Sequence, residues 1–397
     1  MVVIGGGIHG VGVAQAAAAA GYSVLLLERY ELATGTSSRS SKLIHGGLRY
    51  LEHGQFALVR ECLRERNLLL RLAPQLVTLR PFFIPVYEDS SRSPWLLRAG
   101  LSLYALLGGL GHTARFRQLS RREWSSLDDL QQQGLRAVFQ YWDAQTDDAA
   151  LTRAVMASAQ GLGARLQTQA ELVSACKEAQ GYAVDYRLGT QQYRCHATVL
   201  VNAAGPWVNQ VLTRVQPAVT AVPVDWVQGT HLVLEGKLAR GIYYLESPRD
   251  GRPLFAMPWR ETDASGKAQE AILLGTTETR FTGDPAAVHP LPEEQDYLLD
   301  TFRHYFPEQS AAGPTVRRAF AGLRVLPASE AGLSAKSRDT LLLPDDPATP
   351  RMVTIYGGKL TAYRATAAKV MRMLAASLPP RTRVADTRGL PLSAKDA

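Results

Sequence analysis

Cysteine is scarce: Cys62, Cys176 and Cys195 are the whole complement, an odd number with no C-x-x-C pair. Neither a disulfide framework nor a structural zinc site is supported, and the chain reads as one facing a reducing compartment. Eight histidines are scattered without ligand spacing, so the sequence offers no metal centre. A G-x-S-x-G elbow is missing, which argues against a Ser-His-Asp hydrolase. No apolar run approaches the roughly 20 residues that span a bilayer; the most hydrophobic stretch, Trp95 to Gly111, is shorter and contains Arg98. Internal repeats and low-complexity segments are absent. Met1 leads directly into a strand, so no signal peptide is expected. That strand has at most four residues before its turn, against about five or six on average, so a native start slightly upstream is a second expectation.

What is present describes a globular protein: 397 residues, 46% hydrophobic and 20% charged, enough for two domains. The net charge is +8. A basic surface for an anionic membrane and a basic pocket for a phosphorylated substrate both account for it, and both are expected to contribute. Nucleic acid is a poor third, because no recognition motif accompanies the charge.

The most informative stretch is the first fifty residues. Met1-Val2-Val3-Ile4 is a β-branched run of buried-strand type, followed by Gly5-Gly6-Gly7-Ile8-His9-Gly10, an Ala-rich helix through Ala20, and Val24-Leu25-Leu26-Leu27 ending in Glu28. Strand, glycine turn, helix, strand and acid form the layout of a dinucleotide-binding unit. Gly5 permits the tight turn, Gly7 lets backbone N–H groups approach a pyrophosphate, and Gly10 lets helix and strand pack closely. Glu28 suits the hydroxyls of an adenosine ribose. His9 is read as flanking the phosphate site.

Further along, Phe56 to Leu72 has the apolar spacing of an amphipathic helix. Pro81 to Tyr87 reads as a proline-interrupted strand near a sheet edge. Trp95 to Gly111 is a helix with two readings, buried in a substrate domain or lying at a membrane interface with Trp95 and Tyr104 near the headgroups and Arg92, Arg98, Arg115 and Arg117 flanking. Asp147-Asp148 stands at the start of a helix beginning near Leu151. Short strands are expected around 165–169, 172–177 and 182–187, another at 198–202, and strand-rich stretches over 222–235, 241–259 and 271–277. A helix over 293–306, a strand over 351–356 and a helix over about 361–378 complete the chain.

Residues 35–50 (GTSSRSSKLIHGGLRY), Asn202-Ala203-Ala204-Gly205-Pro206-Trp207, Gly275-Thr276-Thr277-Glu278 and Gly357-Gly358-Lys359-Leu360-Thr361-Ala362-Tyr363-Arg364 together resemble the FAD-dependent glycerol-3-phosphate dehydrogenase family, within the D-amino-acid-oxidase-like flavoproteins. The resemblance runs from residue 2 to about residue 390. It implies an α/β fold: a Rossmann-like FAD-binding domain assembled from 1–80, 143–214 and 318–380, an inserted antiparallel-sheet substrate domain from 81–142 and 215–317, and a tail over 381–397. Larger members carry a further helical domain, expected to be absent here.

The implied activity is oxidation of sn-glycerol 3-phosphate to dihydroxyacetone phosphate with hydride passing to non-covalent FAD, and electrons then to a quinone, at the inner face of the cytoplasmic membrane. The implied cofactor residues are Gly5, Gly7, Gly10, Glu28, Thr36, Ser37, Ser41, Lys42, Gly205, Gly358, Lys359, Leu360 and Thr361. Arg49, Tyr50, Arg324 and Arg338 are the implied substrate residues; arginine suits a phosphate through charge-assisted hydrogen bonds. His45 and His231 are the candidate bases, with Arg324 and Lys359 completing the catalytic set. Lys359 would stabilise negative charge developing on the ring. The family carries arginine where Ala150 stands and often lysine where Gln228 stands, which leaves room for two alternatives: a flavoenzyme for another small hydroxy or amino acid, or a flavin-bound scaffold without turnover.

Overall fold

The structure, a computed structural model, describes residues 1–262, 266–328 and 340–394. Strand β1 (Val2–Ile4) is wholly buried, Gly5 turns with φ +106°, helix α1 (Ile8–Ala19) follows, and β2 (Leu25–Leu27) lies parallel to β1 with Val3 opposite Leu26. Helices Asp148–Gly161 and Tyr363–Leu374 pack against α1, so this Ala-rich helix is buried nearly all round and needs no polar face.

β1 and β2 sit inside a six-stranded sheet ordered Leu341–Pro344, Met352–Tyr356, Leu200–Asn202, β1, β2, Arg165–Gln167, parallel except at its first strand. The chain goes to one side of β1 for β2 and to the other for Leu200–Asn202. The crevice beyond the carboxyl end of β1 is therefore a topological switch point, where open parallel sheets bind ligands. A four-stranded sheet, mostly the meander of residues 170–197, packs alongside through Leu172, Tyr182 and Val184.

The larger, mixed sheet has ten strands and brings the substrate side to the same crevice. Strand Val224–Leu234 pairs antiparallel with Ala268–Gly275, Thr279–Phe281 and Val316–Pro327. Helix Pro292–Tyr305 covers one face and buries Leu298, Phe302 and Tyr305 among the sheet's own apolar residues.

Three sequence expectations change. Val77–Tyr87, expected near an edge because of its prolines, is interior: it pairs with Leu135–Thr146 along its length and with Ile242–Glu246 on the other side. The second pairing involves only Phe82 and Phe83, between Pro81 and Pro85, so the missing amide protons fall outside that ladder. Val316–Pro327 belongs to the large sheet although residues from 318 onward were expected in the cofactor domain. Arg324 therefore enters the crevice from the substrate side.

Helix α2 (Phe56–Leu72) matches its predicted span. Helix α3 (Pro94–Leu107) holds the third change: Tyr104, which the interfacial reading set near the headgroups, is buried. Ser93 caps the helix, accepting from Leu96 N at 3.3 Å, with Pro94 in the first turn. It buries Leu97, Leu101, Tyr104 and Ala105, yet leaves Trp95 80%, Leu96 59% and Leu106 60% exposed. Among the described residues no helix is long and apolar enough to cross a membrane.

Candidate functional site

A cavity of about 440 Å³ runs from the glycine turn to the ten-stranded sheet, within the range of roughly 300–1,000 Å³ usual for ligand and cofactor sites. Its cofactor end is made mostly of backbone. A Cβ on Gly10 would lie 1.9 Å from Gly5 O, and one on Gly5 would lie 2.6 Å from Ala203 O, so both positions exclude side chains. Glu28 is held at the end of β2, Oε2 accepting from Gly6 N at 2.6 Å and Oε1 from Tyr30 N at 2.8 Å. Each oxygen keeps lone-pair capacity for a sugar hydroxyl. Ser37 Oγ accepts from Ile8 N at 2.9 Å in the first turn of α1, and Thr36 Oγ1 donates to Leu323 O at 2.7 Å, joining this loop to the large sheet.

Two features of this end fit a flavin dinucleotide. Both ring nitrogens of His9 are buried with no protein partner, beside Gly358, where an added Cβ would lie 2.0 Å from His9 Nε2. Burial holds His9 down to about 4, hence neutral at pH 7. The second feature is the lining: Gly205, Gly358, Leu360 and Thr361 border the cavity from two separate segments, continuing the cradle begun by Gly5 and Gly7.

The other end is charged. Glu278, 8% exposed at its side chain, stands between two arginines: Oε1 lies 2.9 Å from Arg324 Nη1 and 3.7 Å from Arg49 Nη1. Tyr50 presents its ring to Lys359, whose Nζ is 3.8 Å from the ring centroid. His45 is fixed through its main chain by Thr361, Oγ1 accepting from His45 N at 3.1 Å and donating to His45 O at 3.3 Å. His231 stacks on Phe320 with centroids 5.0 Å apart, and its Nε2 meets Ser41 Oγ at 3.1 Å. Burial, with help from Arg324 and Lys42, depresses His231 to about 3.

Strand alternation explains which neighbours reach this space. Gly229 and His231 face the cavity, whereas Gln228 and Thr230 point behind it, donating to Glu294 Oε2 at 2.6 Å each. Thr277 and Thr279 donate to Glu294 Oε1 at 2.8 and 2.7 Å. Gln228 thus acts on a buried carboxylate rather than in the cavity.

Most residues singled out in the sequence converge here, with three exceptions. Lys42, expected at the cofactor, is turned into a buried ion pair with Asp148 and does not line the cavity. Asp148 also accepts from Ser40 N at 3.0 Å and Ser40 Oγ at 2.6 Å, so this pair anchors the loop from beneath. Gly10 acts by close packing and does not line the cavity. Arg338 lies outside the described residues. Sequence reasoning missed Glu278 as the partner of both arginines, although the Gly275–Glu278 motif had marked its position. Tyr104 was placed wrongly: the interfacial reading set it near lipid headgroups, whereas it is buried with its hydroxyl between Gly46 N and Asp143 Oδ2.

The family model described as FAD dependent oxidoreductase matches residues 1–364. A glycerol-3-phosphate dehydrogenase of Pseudomonas aeruginosa is 38% identical over 376 residues, covering 94% of this chain and 70% of that protein. A D-erythritol 1-phosphate dehydrogenase of Brucella abortus is 36% identical over 380 residues, 94% of this chain and 72% of that one. Among solved structures, the glycerol-3-phosphate dehydrogenase of Bacillus halodurans complexed with FAD superposes with TM-score 0.74 at 25% identity, covering 99% of this chain and 67% of the other. A match of this extent explains what the glycine cradle and the partnerless His9 ring are for: the chain belongs to the FAD dependent oxidoreductase family, with FAD as its cofactor.

Proposed function

We propose that the protein oxidises sn-glycerol 3-phosphate to dihydroxyacetone phosphate and delivers the electrons to a quinone. The observation carrying this reading is the arginine pair, Arg49 and Arg324, gathered on Glu278 at the far end of the FAD cavity. Guanidinium groups match phosphate oxygens in geometry and charge, and the 38% identical relative bears the glycerol-3-phosphate dehydrogenase name.

When bound, FAD supplies the hydride acceptor. Arg49 and Arg324 take the phosphate, leaving the carbinol end toward His45. His45 accepts the hydroxyl proton as base. His231, held near 3 by burial, is too weak a base for that task at neutral pH and serves as a neutral polar wall. Lys359, beside Gly358 and over Tyr50, holds a positive charge at the cofactor. The exposed apolar face of α3, Trp95, Leu96 and Leu106, between arginines, is the surface that would meet the membrane holding the quinone.

A second reading takes a longer polyol phosphate, favoured by the D-erythritol 1-phosphate dehydrogenase relative at 36% identity. The arginine anchor is common to both. Anaerobic addition of glycerol 3-phosphate to the holoprotein is expected to bleach the flavin band near about 450 nm. Bleaching by erythritol phosphate alone would select the second reading, and a band that survives both would leave a flavin scaffold or a hydroxy- or amino-acid enzyme.

A further inference from the structure

We infer that Tyr104, a residue outside the cavity, is a positioning residue for His45. Residues 45–50 are glycine-rich and lack regular structure of their own until a short 3-10 turn at Leu48–Leu51. Gly47 has φ +78°, so the backbone there has no intrinsic preference that would fix it. Thr361 holds one side of the His45–Gly46 segment. The other side is held by Tyr104, reaching in from α3: Gly46 N donates to its hydroxyl oxygen at 2.8 Å.

The direction of that bond is forced. Tyr104 donates its own proton to Asp143 Oδ2 at 2.6 Å, and Asp143 Oδ1 accepts from Arg66 Nη1, also at 2.6 Å. Arg66, wholly buried, further donates to Trp142 O at 2.9 Å and Thr113 O at 3.2 Å. With its proton committed to a carboxylate, the tyrosine oxygen can only accept from Gly46. Burial and the adjacent Asp143 keep the phenol protonated. The contact is also close: a Cβ on Gly46 would lie 2.5 Å from the Tyr104 hydroxyl. Arg49, three residues on, has its own tie through Glu278, so loss of the Tyr104 hydroxyl should displace the base and leave the phosphate anchor in place.

This inference rests on the reading of His45 as the base. In the FAD-loaded Tyr104→Phe protein, the limiting rate of anaerobic flavin reduction by glycerol 3-phosphate is expected to fall about tenfold or more, the scale of a small misplacement of a catalytic group. The dissociation constant for dihydroxyacetone phosphate, read from the flavin spectrum, should stay within about twofold. Tyr305→Phe is the control. It removes another buried hydroxyl, bonded to Glu246 O at 2.8 Å outside the cavity lining, and should lower thermal stability with no change in the limiting rate. A Tyr104→Phe rate equal to that of Tyr305→Phe would overturn the inference, as would equal losses in rate and in product affinity. Should Tyr104→Phe fail to fold, amide hydrogen exchange on the unaltered protein still decides: Gly46 must be protected, and fast exchange there overturns the proposal. That readout also separates the two ideas, since unbleached flavin with a protected Gly46 would sink the substrate and leave the clamp.

Discussion

The two ends of the cavity are built on opposite plans. At the cofactor end glycine backbone from three segments, at Gly5 and Gly7, Gly205 and Gly358, lines the cavity, with Glu28 held by backbone N–H groups and His9 kept neutral by burial. At the substrate end long charged side chains meet from distant segments: Arg49, Glu278, Arg324 and Lys359 span more than three hundred residues. At Gly5 and Gly10 the first plan leaves no room for a Cβ, because backbone oxygens stand within 2.6 Å of it. This difference suits a dinucleotide at one end and, on the proposed reading, an anionic substrate at the other.

Perturbations should therefore rank by which end they touch. Gly10→Ala places a methyl group 1.9 Å from Gly5 O, and a forced backbone shift of that kind is expected to abolish FAD retention, measured as flavin absorbance after gel filtration; normal loading would break the comparison. Arg49→Ala should raise KM for glycerol 3-phosphate while FAD stays bound, the loss of one charge-assisted hydrogen bond costing about 1.5–3 kcal/mol. An unchanged KM would remove Arg49 from the phosphate site.

A separate effect, on stability, is expected from pH. His231 is held at about 3 in the folded protein against an ordinary 6.5, so below 6.5 the unfolded chain takes up a proton that the folded one refuses. Stability should fall as pH drops from 6.5 toward 3, by up to about 1.4 kcal/mol per pH unit from this residue. His231→Gln should flatten the slope in urea unfolding series, and an unaltered slope would assign the effect elsewhere. Smallest of all, Trp95→Ser with Leu106→Ser should weaken binding to anionic vesicles several-fold without altering flavin reduction in solution, because those side chains point away from the cavity. Equal vesicle binding would dismiss α3 as the contact face.

Legibility followed the same division. Local signals were enough for α1, α2 and the meander, because each is set by spacing within one segment. The proline-bearing strand Val77–Tyr87 was misplaced at an edge because its second partner, Ile242–Glu246, lies far along the chain and touches only two of its residues. The resemblance implied Lys42 as a cofactor residue; a buried Asp148 from another helix turned it away.

The sequence by itself determined the glycine cradle, the acid after β2 and the basic character of the chain, since these depend on residue type at short spacing. Tertiary structure alone decided that Glu278 joins two arginines, that His231 is too buried to titrate near neutrality, and that Tyr104 reaches Gly46 from an apolar helix. Charge pairing, desolvation and the partner of a buried N–H depend on which segments the fold brings within a few ångströms, and spacing along the chain does not encode that.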